Sequence, residues 1–240
     1  MRGNPRAIGA TAFRSRKQGG IIERTGKKRT RLSPVERREQ LVTIGARLFA
    51  ERPFSDVWIE QVAEQAGVSR GLVYHYFPNK RDFYTAVVRR GAQDAIRISA
   101  PDESLPLLER LRASLDHFLA YVEENENGFR AVHRGQHSAD EEIRAVVRES
   151  RDLQAGRIIE HFNPPGGPSP ALRLALEGWM NFNSAVILDW LETREISREV
   201  LLDLMTGALV GIMIASLRAD GCAELSELLD ELQTQLAAAV

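Results

Sequence analysis

The sequence predicts an all-α protein in which a small N-terminal helical domain precedes a larger helical domain. From Leu32 onward, apolar residues recur three and four positions apart, which is the spacing of one helix face. No segment alternates apolar and polar residues for long enough to indicate a strand. Proline, glycine and serine divide the apolar segments into lengths typical of globular helices.

The N-terminal elements are short and have clear boundary residues. Ser33 and Pro34 open a helix that reaches about Glu51, because serine caps helices and proline suits the first turn. Ser55 or Asp56 can cap a second helix over about 57–64. Gly67 suits the tight turn that follows, and Ser69 can cap a third helix over about 70–76.

Longer helices follow Pro78. The pattern predicts a helix over about 79–99, a helix whose apolar stripe runs from Leu108 and ends near Asn125, and a short helix over about 128–134. It also predicts a helix that contains Ile143 to Ile158 and ends before the loop at 164–170, helices over about 171–193 and 197–219, and one from Glu224 onward. We therefore expect a basic arm at 1–30, a helix-turn-helix domain at 31–78 and a helical domain at 79–240, with 79–99 as the connecting helix.

Positive charge is concentrated at the N-terminal end of the chain. The net charge is −1, but residues 1–30 carry +8, residues 31–90 carry +3 and the remainder carries −12. A basic end suits contact with phosphate, and the acidic remainder would be repelled by it. Residues 1–30 also contain few large apolar side chains, so we expect a disordered arm in the free protein.

Length and composition exclude several classes of protein. The longest uncharged apolar run, Leu204 to Leu217, has 14 residues, short of the roughly 20 that a membrane span needs. The N-terminus lacks the apolar core of a secretory signal. A single cysteine, Cys222, excludes an internal disulfide and fits a reducing cytoplasm. We therefore expect a soluble, cytoplasmic protein without a membrane partner.

The third helix combines an apolar side with side chains that can contact DNA. Two short helices joined by a tight turn are typical of the helix-turn-helix, which presents its second helix to the major groove. Arg70 can bind guanine bidentately, Leu72 can contact a thymine methyl, and Gly71 lets the backbone approach. The candidate DNA contacts are Thr43, Ser69, Arg70, Gly71, Leu72, Tyr74, His75 and Lys80.

Residues 34 to about 90 resemble the DNA-binding domain of the TetR (tetracycline repressor) family of bacterial regulators. The resemblance rests on Leu41-Val42, Leu48-Phe49, Val62-Ala63, Ala66 to Ser69, Gly71 to Phe77 and Asn79-Lys80. It implies a dimer that binds a palindromic operator on double-stranded DNA and usually represses transcription. It also implies that a small molecule in the C-terminal half releases the DNA through the connecting helix.

The chain departs from the family pattern in two places. Family members often have Thr or Ser near Val57 and Trp58, where this chain is apolar, so Ser55 is the substitute candidate for a phosphate contact. The basic extension is also longer than is typical. Because basic arms can enter the minor groove, Lys27, Lys28 and Arg29 are additional candidate DNA contacts.

The last two long helices are apolar on all sides, which predicts burial on all sides. A second copy of the chain would cover them in a four-helix bundle. Gly207, Gly211 and Ala215 are four apart and would let two backbones approach. The candidate dimer residues are Trp190, Gly207, Gly211, Ile214 and Ala215. The alternative is that these helices form the core of a monomer.

The C-terminal half contains no catalytic constellation, P-loop or dinucleotide motif, so we expect neither an enzyme nor a cofactor. His133 and His137 are four apart, but without a helping Cys they do not indicate a metal site. An apolar pocket with a few polar groups would bind a small hydrophobic effector, such as an acyl chain, drug or polyketide. The candidate ligand contacts are Phe118, Tyr121, Phe129, His133, Trp179, Phe182 and Asn183.

These features predict a ligand-responsive transcriptional regulator, with a repressor as the leading hypothesis. The alternative is an architectural protein whose basic arm binds nucleic acid without sequence preference. A regulator should prefer its operator over random DNA by roughly 10³ or more, whereas an architectural protein should not.

Overall fold

The structure, a computed structural model, describes residues 32–134, 140–162, 167–219 and 234. Within these ranges the fold is all-α, as the sequence predicts. The helices are α1 (Pro34–Glu51), α2 (Ile59–Ala66), α3 (Arg70–Tyr76), α4 (Lys80–Ile98), α5 (Leu107–Glu124), α6 (Glu126–His133), α7 (Glu141–Phe162), α8 (Pro170–Thr193) and α9 (Arg198–Ala219), with a 3₁₀ turn at Phe54–Asp56. The predicted helix from Glu224 and the predicted basic arm lie outside the described residues.

Local caps account for most helix boundaries. The Ser33 hydroxyl accepts a hydrogen bond from the Glu36 backbone N–H, and the Glu36 carboxylate accepts one from the Ser33 N–H, which together form a capping box. The Ser69 hydroxyl caps α3 by accepting from the Leu72 N–H. Gly67 turns the chain between α2 and α3 at φ 64°, in the left-handed region that favours glycine.

The start of α2 differs from the prediction. Neither Ser55 nor Asp56 caps it, because these residues belong to the 3₁₀ turn. Val57 continues in extended backbone and is buried, which places the helix start at Ile59. The Gln61 side chain instead accepts a hydrogen bond from the Trp58 N–H, at 3.0 Å. The burial of Val57 in the N-terminal core therefore determines that α2 begins at Ile59 and not at Val57.

The helices enclose two hydrophobic cores, and α6 and α7 contribute residues to both. The N-terminal core joins α1, α2, α3, the first half of α4 and Ile143 of α7. The C-terminal core joins α5, α8 and α9, with α6 and α7 packed against it. Trp179 fastens α8 to α9, since its indole N–H donates to the Met205 carbonyl at 3.0 Å.

Polar contacts also connect the two parts of the molecule. The Arg81 guanidinium donates to both carboxylate oxygens of Asp140, at 2.6 and 2.8 Å, and so ties the start of α4 to the residue before α7. The Asn127 amide of α6 donates to the Ala50 carbonyl at the end of α1, at 2.8 Å. The Asn127 hydrogen bond joins the three-helix domain to the larger domain, and the Arg81 pair holds α7 against the start of the connecting helix α4.

We predict that Gly45→Ala destabilises the protein. A Cβ at position 45 would lie 2.8 Å from Val87 Cγ2 and 2.9 Å from Phe83 Cε1, where α1 crosses α4. Phe83 is fully buried, so its ring cannot move aside, and overpacking of this kind costs about 1–3 kcal/mol. Chemical denaturation measures the change in the free energy of unfolding.

Gly156→Ala is the matched control for Gly45→Ala. An added Cβ at position 156, on α7, meets nothing within 4 Å, so alanine should stabilise the helix by about 0.5–1 kcal/mol. If both variants gain stability, the crossing of α1 and α4 is not the close contact described above.

We predict that Asp140→Asn lowers the melting temperature at neutral pH. The Arg81 hydrogen bonds hold the pKa of Asp140 down at about 2, below its usual value of about 4. A depressed carboxyl pKa stabilises the folded state above about pH 4, and this stabilisation is lost as the pH falls toward 2. The melting temperatures of variant and wild type should therefore converge in acid.

Glu149→Gln is the control for Asp140→Asn. It breaks another ion pair between α4 and α7, Arg89–Glu149, whose side chains are both largely exposed. Exposed pairs contribute little to stability, so its melting temperature should stay near the wild-type value. An Asp140→Asn protein with an unchanged melting temperature at neutral pH would contradict the prediction.

Candidate nucleic-acid interface and effector cavity

Helix α3 has one buried side and one side open to solvent. Val73 is fully buried and Phe77, which follows the helix, is 3% exposed, so both anchor α3 to the N-terminal core. Arg70, Gly71 and His75 are exposed. The exposed side carries the residues predicted to contact DNA, and Leu72 and Tyr74 are half-buried at its margin.

Arg70 is held in place by two neighbours. Its guanidinium lies 2.8 Å from Glu60 Oε1 of α2 and 5.3 Å from the centre of the Tyr74 ring. A hydrogen bond with Tyr74 and the charge of Glu60 raise the pKa of Arg70. Because guanidinium has five donors, Arg70 can keep these contacts and still present N–H groups outward.

Lys80 does not lie as the sequence analysis predicted for a phosphate contact. Its ammonium donates to the Phe54 carbonyl at 2.6 Å and lies over the rings of Phe54 and Trp58, 4.2 and 5.6 Å from their centres. Burial lowers the pKa of Lys80. Lys80 therefore fastens the 3₁₀ turn to α4, a contact between residues 26 apart that the sequence did not predict. A contact between Lys80 and a phosphate stays a prediction.

Trp58 is a candidate contact that the sequence analysis did not identify. Its side chain is 61% exposed at the start of α2, next to Glu60 and its partner Arg70. The indole N–H is a hydrogen-bond donor, whereas the hydroxyl of the proposed substitute, Ser55, already donates to Asp56 Oδ1 at 2.7 Å. The sequence did mark this position, because Trp58 lies where related proteins often have a Thr or Ser.

The remaining predicted DNA contacts are two residues of the N-terminal domain and three of the basic arm. Thr43 is exposed on α1, and Ser69 is exposed but its hydroxyl caps α3. Lys27, Lys28 and Arg29 lie outside the described residues. A contact between the arm and DNA remains a prediction.

A second candidate site is a cavity of about 290 Å³ that is walled by α1, α4, α5, α6, α7 and α8. Six of the seven predicted ligand residues line it: Phe118, Tyr121, Phe129, His133, Trp179 and Asn183. Phe182 does not, because it is half-buried and packs against the C-terminal core. Phe182 and Asn183 are neighbours on α8, and the sequence pattern did not indicate which of the two faces the cavity.

Burial sets the chemistry of the polar groups in the cavity wall. The Tyr121 hydroxyl donates to the Gly91 carbonyl at 3.0 Å, and burial raises its pKa to about 12. Burial, aided by the charge of Arg151, lowers the pKa of His133 to about 4. His133 is therefore neutral at physiological pH, with one ring nitrogen donating and the other accepting.

Three arginines in the cavity wall, Arg110, Arg151 and Arg157, were not predicted from the sequence. Arg151 and Arg157 of α7 line the cavity, although α7 carries charges along most of its length. A charged residue on such a helix is ordinarily solvated, so the sequence contains no signal that separates these two from their neighbours.

The predicted dimer residues fall into two groups. Trp190 and Ile214 are each 5% exposed and belong to the C-terminal core of a single chain, so their assignment to an interface is corrected. Gly207 is half-buried, and Gly211 and Ala215 are exposed. Exposed apolar or small residues continue along the same two helices, and we call this set the α8–α9 face: Leu174, Gly178, Val200, Leu204, Gly211 and Ala215.

From the sequence we expected neither a metal site nor a membrane span. Among the described residues, no group of three or more His, Cys, Asp or Glu could hold a metal ion; His137 lies outside them. Arg198–Ser216 is long and apolar enough to cross a membrane by length and composition, with a mean hydropathy of 1.7. However, half of this segment is buried, and α9 supplies much of the C-terminal core.

Comparison with known proteins supports a regulator of transcription. A family model described as bacterial regulatory proteins of the tetR family matches residues 41–87. A second, described as the C-terminal domain of tetracyclin repressor-like proteins, matches residues 107–212. The two matches together cover more than half of the chain, including the helix-turn-helix and most of the cavity wall.

Individual relatives agree with these matches. The transcriptional activator FasR of Mycolicibacterium smegmatis is 28% identical over 160 residues, 60% of this chain and 71% of FasR. The transcriptional repressor AcnR of Corynebacterium efficiens is 29% identical over 83 residues, 35% of this chain and 43% of AcnR. A tetR-family regulator from Streptomyces coelicolor has a solved structure with a TM-score of 0.72 and 29% identity, covering 86% of this chain and 90% of that one.

We predict that Arg70→Ala changes the base preference of DNA binding. If the guanidinium reads a guanine edge, its loss relaxes the preference at one base position by about 1–3 kcal/mol. Binding to a library of singly substituted operator sites measures this preference.

Arg144→Ala is the control for Arg70→Ala. Arg144 is also exposed and ion-paired, with Glu141 at 2.6 Å, but lies on α7, so operator binding should not change. If Arg70→Ala lowers the affinity for every operator variant equally, Arg70 contacts the DNA backbone and does not read a base.

Proposed function

Because the chain belongs to the TetR family of DNA-binding transcriptional regulators, we propose that it is a ligand-responsive, homodimeric repressor. In this proposal the dimer binds a palindromic operator and a small hydrophobic effector releases it. The observation that carries the proposal is the position of α4. One end of α4 supports the helix-turn-helix through Phe83 and Tyr84, and residues Tyr84 to Ser99 wall the cavity.

Two copies of the chain would read a two-fold symmetric operator. In related architectures, half-sites lie about one helical turn of DNA apart, or a multiple of it. The exposed side of α3 supports this role, since Arg70 and His75 face solvent. We propose Ser69, Arg70, Gly71, Leu72, Tyr74, His75 and Trp58 as the DNA contacts.

The α8–α9 face supports a dimer. Leu174 is 72% exposed, Val200 50% and Leu204 47%, and an apolar surface of this kind is typical of an interface. Gly178 and Gly211 have open space where a side chain would lie, so a second pair of helices could approach closely. The proposed interface comprises Gly207, Gly211, Ala215 and the exposed residues around them.

An effector in the cavity would act on both domains. The lining includes Ala46, Phe49 and Ala50 of α1 as well as Val87 and Val88 of α4. Because α1 and α4 pack closely at Gly45, a molecule that separates them must also shift the helix-turn-helix. A change in the spacing of the two α3 helices then lowers the affinity for the operator, since binding requires both half-sites.

Two experiments test the proposal. Genomic footprinting of the purified protein should find a palindromic site preferred over random DNA by roughly 10³ or more, whereas equal binding to all DNA would favour an architectural role. Deletion of the gene should raise transcription from the bound promoter. A fall in transcription would instead make the protein an activator, as FasR is named. We propose a cytoplasmic location, in keeping with this role.

We predict that Gly211→Arg separates the dimer without unfolding the chain. Position 211 is exposed, with nothing within 4 Å of an added Cβ, so a single chain tolerates the substitution. A charge in an apolar interface carries a desolvation cost, and operator affinity should fall because two half-sites are no longer bound together. Analytical ultracentrifugation and operator titration measure the two effects.

Leu153→Arg is the control for Gly211→Arg. Leu153 is also exposed and apolar, at 55%, but lies on α7 outside the α8–α9 face. It should leave both assembly and operator binding unchanged. A Gly211→Arg protein that remains dimeric would show that the interface lies elsewhere.

A further inference from the structure

The cavity has an unbalanced charge. Its lining includes Arg110, Arg151 and Arg157, whereas no Asp or Glu is among the described residues that line it. The rest of the lining is mostly apolar. A cationic wall in an apolar cavity favours a ligand that carries negative charge.

Arg151 lines the cavity and has neutral hydrogen-bond acceptors. Its guanidinium donates to Asn181 Oδ1 at 2.8 Å and to Ser184 Oγ at 3.3 Å, and both acceptors are neutral. No carboxylate of the described residues lies within 4.0 Å of it, although twelve other arginines of these residues form ion pairs.

Burial makes the missing partner costly. Arg151 is half-buried, and desolvation lowers the pKa of its guanidinium, an effect that the charge of Glu177, which forms no ion pair with it, offsets only in part. A charge withdrawn from water without an opposite charge destabilises the folded state. Such an arrangement at a cavity wall is typical of a group that obtains its partner from a ligand.

Polar groups of two neighbouring helices lie beside Arg151. Asn183 of α8 lines the cavity at 7% exposure. Its Nδ2 amide is the group that can donate to a carboxylate, whereas its Oδ1 atom, which accepts and has no donor among the described residues, can be satisfied only by a donor. His133 of α6 also lines the cavity and is close enough to Arg151 to feel its charge. The three side chains come from α6, α7 and α8 and form one polar patch on an apolar wall.

We propose that this patch binds the carboxylate of an amphiphilic effector, with Arg151 as the anion-binding residue and Asn183 and His133 as its hydrogen-bonding neighbours. The planar fork of a guanidinium matches a carboxylate, which it can bind through two parallel hydrogen bonds. One guanidinium matches one carboxylate group in this way. The inference rests on the proposed function, since it names the chemical class of its effector.

The apolar body of the effector has room on the remaining walls. Along α4 the lining runs from Tyr84 to Ser99, which at the helical rise corresponds to about 22 Å. Toward the N-terminal domain the wall consists largely of Val87, Val88, Val132, Val146 and Val147. An elongated apolar chain attached to the carboxylate would lie against these side chains.

Direct binding of matched acids and alcohols tests the inference. Straight-chain carboxylates from octanoate to hexadecanoate, below their micellar concentrations, are titrated into the full-length protein by calorimetry, each against the alcohol of the same length. At least one carboxylate should bind about 10- to 100-fold more tightly than its alcohol, because the alcohol lacks the charge-assisted hydrogen bonds. Arg151→Gln should abolish this preference, and Arg151→Lys should retain part of it.

Arg148→Gln is the matched control, since Arg148 lies on the same helix but is exposed and paired with Glu141. It should keep the preference for the acid. The inference is overturned if the wild type binds acid and alcohol equally, if it binds neither, or if Arg151→Gln keeps the preference. Thermal melting of each variant shows whether it is folded, and Arg151→Lys provides a second test if Arg151→Gln is not.

Footprinting on the operator without any ligand separates this inference from the proposed function. If the wild type binds its operator but shows no preference for the acids, only the identity of the effector is wrong. If it shows no sequence preference on DNA, the proposed function itself fails, whatever the calorimetry shows.

Discussion

The close crossing of α1 and α4 at Gly45 is the contact on which the rest of the structure depends. Glycine lets Phe83 and Val87 approach the α1 backbone, and the buried Phe83 ring then packs against Phe49 and Phe77. The crossing fixes the direction in which α4 leaves the helix-turn-helix. That direction determines both how α3 is presented and where the cavity lies.

Arginines perform three different tasks in this molecule. Arg81 and Arg90 join α4 to the residue before α7 and to α1, by ion pairs with Asp140 and Glu39. Arg70 is held by an acidic and an aromatic neighbour on the exposed side of the helix-turn-helix. Arg151 donates hydrogen bonds to the neutral side chains of Asn181 and Ser184 beside an apolar cavity. Because every guanidinium carries the same charge, the task of each arginine depends on the groups that it contacts.

The helices could be predicted because their signals are local. Ser33, Gly67 and Ser69 act over three or four residues, and the structure confirms the boundaries they predict. The start of α2 was predicted two residues early, since burial of Val57 overrides the capping tendency of Ser55 and Asp56. Lys80 likewise received an external role because its acceptor, the Phe54 carbonyl, is distant in sequence.

The sequence by itself determined the all-α class, the helix-turn-helix and the family, because helical periodicity, caps and a short ordered motif are properties of neighbouring residues. Only the tertiary structure decided which apolar residues lie inside one chain, as Trp190 and Ile214 do, and which remain on the α8–α9 face. It also decided that Arg151 borders a cavity while Arg148, three positions earlier, faces solvent. Periodicity defines the faces of a helix, but the neighbouring helices determine what each face contacts.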